Sequence, residues 1–402
     1  MTSPAAFAGW LDDTNDITKA FLAAGQIPGL INIAGGLPDP QVYPAAQIAE
    51  IARRAVRDYP AETLGYGPLE GLPDLRSAIA ERFSSDDLHL GPENVLVTTS
   101  GMQALDLLGK VLLDEGDVIA GQFPTYLGAL DAWRPRKPTF RAMPLQSNDL
   151  DFTEAMQGAK FAYTVPNFSN PTGRLVPEST RRALVDAART TGAWLVEDDP
   201  YGGLNYNGPL PPRLIDISAQ SQPQADRAPY AGPVVYLGTL SKLIVPGLRI
   251  GWVIAAPAMI DALTLAKQGS DMCTSGLTQR MACEILNAGL IEAVNPVMLD
   301  LYRRRRDALC DALDRHLSTW FEWEHPEGGM FVWVTARDRA LDTDALFKIG
   351  LDERVCVSPS SVFDATGVFR HGLRLNFTLN DETALEEAVR RLALATQRLV
   401  KP

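Results

Sequence analysis

The sequence contains few residues of the types that hold metals or form disulfide frameworks. Among 402 residues there are four cysteines and four histidines. The histidines form no HxxxH or HxH pair, and the cysteines lack the short spacing of metal ligands. The residues concerned are Cys273, Cys283, Cys310, Cys356, His89, His316, His325 and His371. We therefore expect no metal site, and we expect reduced thiols in a cytoplasmic protein.

Long apolar runs and an excess of basic charge are also missing. No run of about 18 apolar residues occurs, so no membrane span is predicted. Residues 1–16 lack the basic and apolar regions of a secretory signal. The net charge of −12 argues against nucleic acid as a main partner. One basic run, Arg303–Arg306, falls in a predicted helix, and we interpret it as a solvent-exposed face.

What the sequence does contain, from about residue 65 to 290, is an alternation of short apolar runs and helical patterns. The predicted strands are 94–98, 118–120, 161–165, 193–196, 234–237 and 248–255, and the predicted helices include 102–114 and 177–192. Such alternation is typical of a largely parallel sheet covered by helices. The sequence therefore predicts an α/β domain in this part of the chain.

After residue 290 the pattern changes to a mixture of helices and strands. The predicted elements are a helix over 297–320, strands over 329–334, 354–357 and 373–377, and a helix that begins near Asn380. This mixture indicates a smaller α+β domain. We predict a large domain over 46–290 and a small domain formed by 1–45 together with 291–402.

Polar residues follow the ends of five predicted strands. They lie in the segments 100–102, 123–126, 167–173, 197–201 and 239–242. In open α/β sheets, ligands bind at the carboxyl ends of the strands. The sequence therefore predicts one ligand site built from five loops.

Part of this set suits a phosphate group. The turn 100–102 opens a predicted helix, whose free backbone N–H groups and positive dipole end favour an anion. The hydroxyls of Thr239 and Ser241 and the guanidinium of Arg249 can add charge-assisted hydrogen bonds.

The remaining residues suit an aromatic aldehyde. Tyr126 offers a flat surface for a ring, and Asp198 can keep a pyridine nitrogen protonated. Asn170 and Tyr201 can donate to a phenolate oxygen, and Lys242 can form a Schiff base with an aldehyde. With the phosphate, these groups describe pyridoxal 5′-phosphate, PLP.

Three motifs carry a resemblance to a known family. The segments "SNPTG" (169–173), "EDDPYGGL" (197–204) and "GTLSKLIVPGLRIGW" (238–252) resemble the fold-type-I PLP enzymes of aminotransferase class I/II. Segments 32–44, 64–76, 98–108 and 266–279 look like the 2-aminoadipate/kynurenine aminotransferase branch, which also resembles regulatory PLP domains fused to winged helices. The resemblance covers about residues 30–378. It implies an aspartate aminotransferase-like fold with a mostly parallel, seven-stranded sheet.

The resemblance also implies roles for single residues. Lys242 would carry the cofactor and shuttle the proton, so it is the predicted catalytic centre together with Asp198 and Tyr201. Asp198 rather than Asp199 would meet the ring nitrogen, because the pattern Asp-x-x-Tyr ends at Tyr201, although the two acids could exchange roles. Tyr126 would stack on the ring, unless it is only a core aromatic.

The other implied contacts concern the phosphate, the substrate and a second subunit. The phosphate cup would comprise Gly101, Met102, Thr239, Ser241 and Arg249, and the substrate contacts would be Arg374, Asn170 and Gly36. Arg374 would clamp the substrate α-carboxylate, or else serve as a structural ion-pair residue. Tyr66 would reach the phosphate of the other subunit in a homodimer with shared sites, or else be only a loop aromatic.

One feature departs from the family pattern. Members that act on acidic or kynurenine-like substrates carry an N-terminal arginine near the site, but no arginine precedes Arg53 here, and Lys19 is the only earlier cation. Cys273 stands where relatives often have histidine. We therefore predict a donor with a neutral, apolar or aromatic side chain, with Lys19, Arg134 and Arg136 as the remaining cations for a distal carboxylate.

The predicted function is transamination between an L-amino acid and a 2-oxo acid. Two alternatives use the same cofactor motifs. One is another PLP reaction, such as β-elimination, decarboxylation or oxidation. The other is a ligand-sensing effector domain without turnover, against which we count the few residues before 30, too few for a winged helix, and the lack of a basic stripe.

Overall fold

The computed structural model describes residues 7–11, 17, 27–143, 145, 151–221 and 228–401. The strands are β1 (Ile31–Asn32), β2 (Val95–Thr98), β3 (Val118–Gln122), β4 (Thr139–Met143), β5 (Ala159–Thr164), β6 (Trp194–Asp198), β7 (Val234–Thr239), β8 (Gly251–Ile254), β9 (Phe321–Trp323), β10 (Phe331–Ala336), β11 (Val355–Cys356), β12 (Ser358–Pro359) and β13 (Gly372–Asn376). The α-helices are α1 (Ala45–Asp58), α2 (Pro60–Leu64), α3 (Pro73–Phe83), α4 (Ser100–Leu112), α5 (Leu127–Trp133), α6 (Thr153–Met156), α7 (Glu178–Thr191), α8 (Leu214–Gln220), α9 (Pro257–Gln268), α10 (Gly276–Asn287), α11 (Leu290–His316), α12 (Thr343–Asp352) and α13 (Glu382–Val400).

The largest sheet has seven strands in the order β2-β8-β7-β6-β5-β3-β4. Strand β8 runs antiparallel to β2 and β7, and the other neighbours are parallel. The predicted α/β class with a mostly parallel seven-stranded sheet is confirmed. Edge strand β4 was not predicted, because its half-exposed sequence, which includes Arg141, does not form an apolar run.

Helices cover both faces of this sheet, because alternate strand residues point to opposite sides. Leu96 and Val253 pack with buried residues of α4 on one face. Val95, Val97 and Ile254 pack with residues of α3 and α7 on the other face. An apolar layer therefore covers each face of the sheet and holds it in place. The loops at the carboxyl edge are positioned by the strands that they follow.

A second, antiparallel sheet has the order β12-β13-β10-β9. Strand β1 pairs in parallel with β11, with Ile31 opposite Val355. Strand β1, near the N-terminus, therefore packs with the C-terminal part of the chain. Helix α13 begins as predicted, with the Asp381 side chain accepting from the backbone N–H of Ala384 at 2.8 Å.

Helix α11 differs from the prediction, which started it at Val297. The helix begins at Leu290 and runs through Pro296. Pro296 lies inside the helix, where it removes one backbone hydrogen-bond donor. In a sequence, proline is typical of the first turn of a helix, so the prediction placed the helix start just after it. Among the described residues no single helix has the length and apolar composition to cross a membrane, and α10 with α11 pass that test only as a pair bent by 79°.

The basic run Arg303–Arg306 is only partly exposed, so its interpretation as a solvent-exposed face was wrong. Arg305 forms an ion pair with Asp39 at 2.6 Å, and both side chains are buried. Arg306 is also buried and donates to the Pro326 carbonyl at 2.9 Å. The run lies against neighbouring protein because α11 packs against α13 and the segment Pro40–Val42.

Candidate active site

A cleft of about 250 Å³ lies at the carboxyl ends of β2, β3, β5, β6 and β7. It brings together residues of all five predicted loops. Its lining comprises Leu37, Ser100, Gly101, Met102, Leu105, Tyr126, Val165, Asn170, Asp198, Pro200, Tyr201, Thr239, Ser241, Lys242, Pro246 and Arg249. The reactive and polar side chains therefore come together because the sheet topology places the five loops at one edge, although they are far apart in the sequence.

Lys242 lies inside the cleft directly after β7. Its Nζ donates to the Gly36 carbonyl at 2.7 Å. Burial lowers the pKa of this amine to about 8, and the positive charges of Arg374 and Arg249 act in the same direction. A lysine with a lowered pKa has a larger neutral fraction at physiological pH, which suits a nucleophile that attacks an aldehyde.

Asp198 is the acid that faces this cleft. Burial raises the pKa of its carboxyl to about 7, while a hydrogen bond from Tyr163 Oη to Oδ2, at 2.6 Å, favours the ionised form. A cationic ring nitrogen placed against Asp198 would favour the ionised form further. The neighbouring Asp199 instead accepts from Tyr236 Oη at 3.2 Å and from the Gly202 N–H at 2.9 Å.

Tyr163 is the contact that sequence reasoning missed. It lies on β5 opposite Val196 of β6. Its side chain therefore shares a sheet face with Asp198, two residues further along β6. Only the strand register brings the two together, so the sequence gives no local signal for this pair.

The amino end of α4 offers free backbone donors. Thr99 precedes the helix and makes no side-chain capping bond to it. A Cβ atom at Gly251 of β8 would come within 2.7 Å of the Ser100 carbonyl carbon and 2.8 Å of the Gly101 nitrogen. Glycine at 251 thus lets β8 approach this turn, and the N–H groups of Gly101 and Met102 remain available for an anion.

Two hydroxyls and one guanidinium complete this end of the cleft. Thr239 Oγ1 donates to Ser241 Oγ at 3.0 Å and accepts from the Ser241 N–H at 3.1 Å. Arg249 Nη1 lies 3.5 Å from Ser241 Oγ. Helix end, hydroxyls and cation together have the composition of a phosphate site.

Asn170 forms hydrogen bonds with both Tyr201 and Arg374. Its Nδ2 donates to Tyr201 Oη at 3.3 Å, and its Oδ1 accepts from Arg374 Nη1 at 2.6 Å. Burial raises the pKa of the Tyr201 phenol above its ordinary value, so the hydroxyl stays protonated. It can therefore donate a hydrogen bond to an anionic oxygen.

Arg374 is a buried guanidinium without an acidic partner among the described residues. Besides Asn170, it donates to the Ala34 carbonyl at 2.5 Å, and its Nε has no partner. The rings of Phe331 and Phe363 lie 4.4 and 4.7 Å from its Cζ. Burial lowers its pKa to about 10. An incoming carboxylate would satisfy this charge.

The remaining predicted site residues occupy different surroundings. Tyr126 lies in the cleft with its Oη 3.4 Å from Met102 Sδ, and burial raises the pKa of its phenol to about 12. The Gly36 backbone lies at the site, and a Cβ there would be 2.7 Å from the Phe331 ring. Tyr66 lies outside the cleft and is 89% exposed.

The cations considered for a distal carboxylate do not line the cleft where they are described. Arg134 forms an ion pair with Asp131 at 2.6 Å and borders a different cavity. Arg136 is exposed, and Lys19 lies outside the described residues. The described cations nearest the site are therefore Lys242, Arg249 and Arg374.

Comparisons with known proteins agree with this geometry. The family model for aminotransferase class I and II matches residues 38–392. A 2-aminoadipate transaminase of Thermus thermophilus is 36% identical, covering 95% of this chain and 94% of that protein. An aromatic-amino-acid aminotransferase of Thermococcus litoralis is 35% identical, covering 90% and 87%.

Among solved structures, a kynurenine aminotransferase of Pyrococcus horikoshii in complex with PMP superposes with a TM-score of 0.88, at 30% identity and 98% coverage of both chains. The chain belongs to aminotransferase class I and II. It is a PLP-dependent aminotransferase, as predicted from the motifs.

Proposed function

We propose that this aminotransferase holds PLP in the cleft described above and works on amino acids with neutral side chains. When bound, PLP supplies an aldehyde and an electron-withdrawing ring. Lys242 would hold the cofactor through its aldehyde group, with loss of water, and its freed amine would take the proton from the substrate Cα. The lowered pKa of the amine supports both tasks, because a neutral amine is needed for each.

The other chain residues would bind and orient. Asp198, which accepts a hydrogen bond from Tyr163, would face the ring nitrogen and keep it protonated. Asn170 and Tyr201 would donate to the phenolate oxygen, and Tyr126 would cover one ring face. The phosphate would be held by the N–H groups of Gly101 and Met102 and the side chains of Thr239, Ser241 and Arg249.

One observation carries the proposal for the substrate. Arg374 is buried, has an unpartnered Nε and lies beside Asn170 in the same site as Lys242. A buried cation without a counter-ion is costly, so the site is built for an anion that arrives from outside. The α-carboxylate of an amino acid supplies that anion and places its Cα near the lysine.

The composition of the cleft itself supports a neutral donor. Its walls include the apolar side chains of Leu37, Leu105, Val165 and Pro200. A second carboxylate buried against these walls would lose hydration, and the described cations of the site are already assigned to the cofactor and to the α-carboxylate.

A matched pair of donors tests this preference. Norleucine and 2-aminoadipate have chains of the same length and differ in the terminal methyl or carboxylate. With one fixed 2-oxo acid acceptor, we expect kcat/KM for norleucine to exceed that for 2-aminoadipate at least about tenfold. Equal values, or a preference for 2-aminoadipate, would contradict the proposed specificity.

We also propose a homodimer with shared sites. Tyr66, Leu64 and Met272 are 89%, 72% and 53% exposed, so these large side chains are available to be covered by a second subunit. In such a dimer, the Tyr66 hydroxyl of one subunit would contact the cofactor phosphate bound by the other subunit.

Mixing two inactive variants tests the shared site. Lys242→Ala and Tyr66→Ala subunits, unfolded and refolded together at limiting PLP, should regain activity. One site of each mixed dimer then has Lys242 from one subunit and Tyr66 from the other. If Tyr66 serves its own subunit, the mixture will have no more activity than the separate variants.

We further propose a division into a large and a small domain, and a cytoplasmic location. Pairing of β1 with β11 supports grouping residues 1–45 with 291–402, and 46–290 as the large domain. All four cysteines are free, and three are buried, which favours a reducing, cytoplasmic compartment. Limited proteolysis near residues 46 and 290, and fractionation of cells that produce the protein, test these two points.

A further inference from the structure

An ion pair between a buried lysine and a partly exposed aspartate lies behind the amino end of α4. Lys267, in the last turn of α9, is fully buried, and its Nζ donates to Asp271 Oδ1 at 2.6 Å. The second carboxylate oxygen, Oδ2, accepts from Thr99 Oγ1 at 2.8 Å. Burial works against ionisation of Asp271, but the hydrogen bonds from Lys267, Gln103 and Thr99 outweigh it and lower its pKa. The Asp271 carboxyl is therefore ionised at neutral pH.

The residue that follows Thr99 has a strained backbone. Ser100 has φ of 73°, in the left-handed region that residues other than glycine seldom adopt. Its carbonyl accepts from Thr98 Oγ1 at 3.0 Å, and the Thr99 N–H donates to Gln103 Oε1 at 2.7 Å. Such strain persists only where the surroundings hold it in place.

This strained turn sets the direction of the phosphate donors. Gly101 and Met102 follow Ser100, and their N–H groups point into the cleft only if α4 begins where it does. Thr99 is held on both sides, by Gln103 within the helix and by Asp271 from a loop 172 residues away, and its hydroxyl also lies 3.2 Å from Thr274 Oγ1. The contact with Asp271, which pairs with Lys267 of α9, fixes the turn to a second element of the fold.

A simpler role for the ion pair is to close its own loop. The Ser270 N–H donates to the Lys267 carbonyl at 2.9 Å, and the Cys273 N–H to the Asp271 carbonyl at 2.7 Å. That role needs Lys267 and one carboxylate oxygen. It does not need Oδ2 to accept from Thr99, and it predicts no effect on the phosphate.

We propose that Lys267 and Asp271 are positioning residues for the cofactor phosphate. Through the Thr99 hydroxyl they hold Ser100 in its left-handed conformation, and so keep the N–H groups of Gly101 and Met102 directed at the phosphate. This inference rests on the proposed phosphate site.

The test is the affinity of apoenzyme for PLP, measured by quenching of tryptophan fluorescence. Thr99→Val deletes only the hydroxyl and leaves the ion pair, and we expect the Kd for PLP to rise about tenfold. Ser100→Gly should remove most of that loss in the double variant, because glycine adopts positive φ without strain. Thr278→Val is the matched control, since Thr278 Oγ1 donates to the nearby Ser275 carbonyl and makes no side-chain hydrogen bond with the phosphate turn among the described residues.

Pyridoxal, which lacks the phosphate, separates this inference from the proposed function. If the cup is a phosphate site, parent apoenzyme binds PLP much more tightly than pyridoxal, and Thr99→Val weakens PLP alone. Equal affinities of the parent for both ligands would show that the phosphate assignment itself fails.

Other outcomes overturn the positioning role alone. They are an unchanged Kd for PLP in Thr99→Val, an equal loss for pyridoxal, and a loss that Ser100→Gly does not reduce. If Thr99→Val does not fold, Lys267→Met with Asp271→Leu replaces the pair by apolar side chains of similar size. That variant should show the same loss for PLP and the same recovery with Ser100→Gly.

Discussion

A Lys242→Ala variant should lose transamination by at least about 10⁴-fold in kcat, because one change removes both the nucleophile and the base that takes the Cα proton. Its amine is the one described lysine nitrogen that lines the cleft. The measurement is initial-rate kinetics at saturating PLP with a neutral amino donor and a 2-oxo acid acceptor.

A control keeps this result specific. Lys160→Ala removes a half-exposed lysine that forms a surface ion pair with Asp117 at 3.5 Å, and its activity should stay within about twofold of the parent, since surface ion pairs contribute little. Turnover in Lys242→Ala at a rate near that of the control would refute the catalytic assignment.

The second large effect is expected for Asp198→Asn. The amide cannot act as counter-ion to the ring nitrogen, and loss of one partner of a buried charge pair costs about 3–5 kcal/mol. That energy corresponds to a fall in kcat of about 10²–10⁴-fold. PLP should still bind, because the phosphate contacts and Lys242 are intact.

Asp199→Asn decides between the two adjacent acids. Asp199 contacts Tyr236 and the Gly202 N–H, outside the cleft lining. We therefore expect a loss of kcat of less than about tenfold, through weaker packing only. A severe loss in Asp199→Asn together with normal turnover in Asp198→Asn would show that the two roles are exchanged.

The position of the cleft follows from rules that act on the sequence. Apolar strands that alternate with helices give a parallel sheet, whose carboxyl ends meet at one edge, so loops far apart in the chain converge there. For the same reason Asn170, Asp198 and Lys242 could be placed together before any coordinates. The motif resemblance then defined the family.

Contacts that depend on strand register or tertiary packing could not be predicted. Tyr163 reaches Asp198 only because β5 and β6 pair with Tyr163 opposite Val196. Arg305 looked like a surface charge, but Asp39, 266 positions earlier in the chain, pairs with it in the interior. Neither partner leaves a local pattern in the sequence.

Chemical trapping of the lysine tests the central claim most directly. Sodium borohydride fixes a lysine–PLP bond as a stable secondary amine, and mass spectrometry of peptides then identifies the modified residue. We predict one phosphopyridoxyl group per chain, on Lys242. A group on any other lysine, or holoenzyme that transaminates yet shows no modified lysine after reduction, would contradict the assignment.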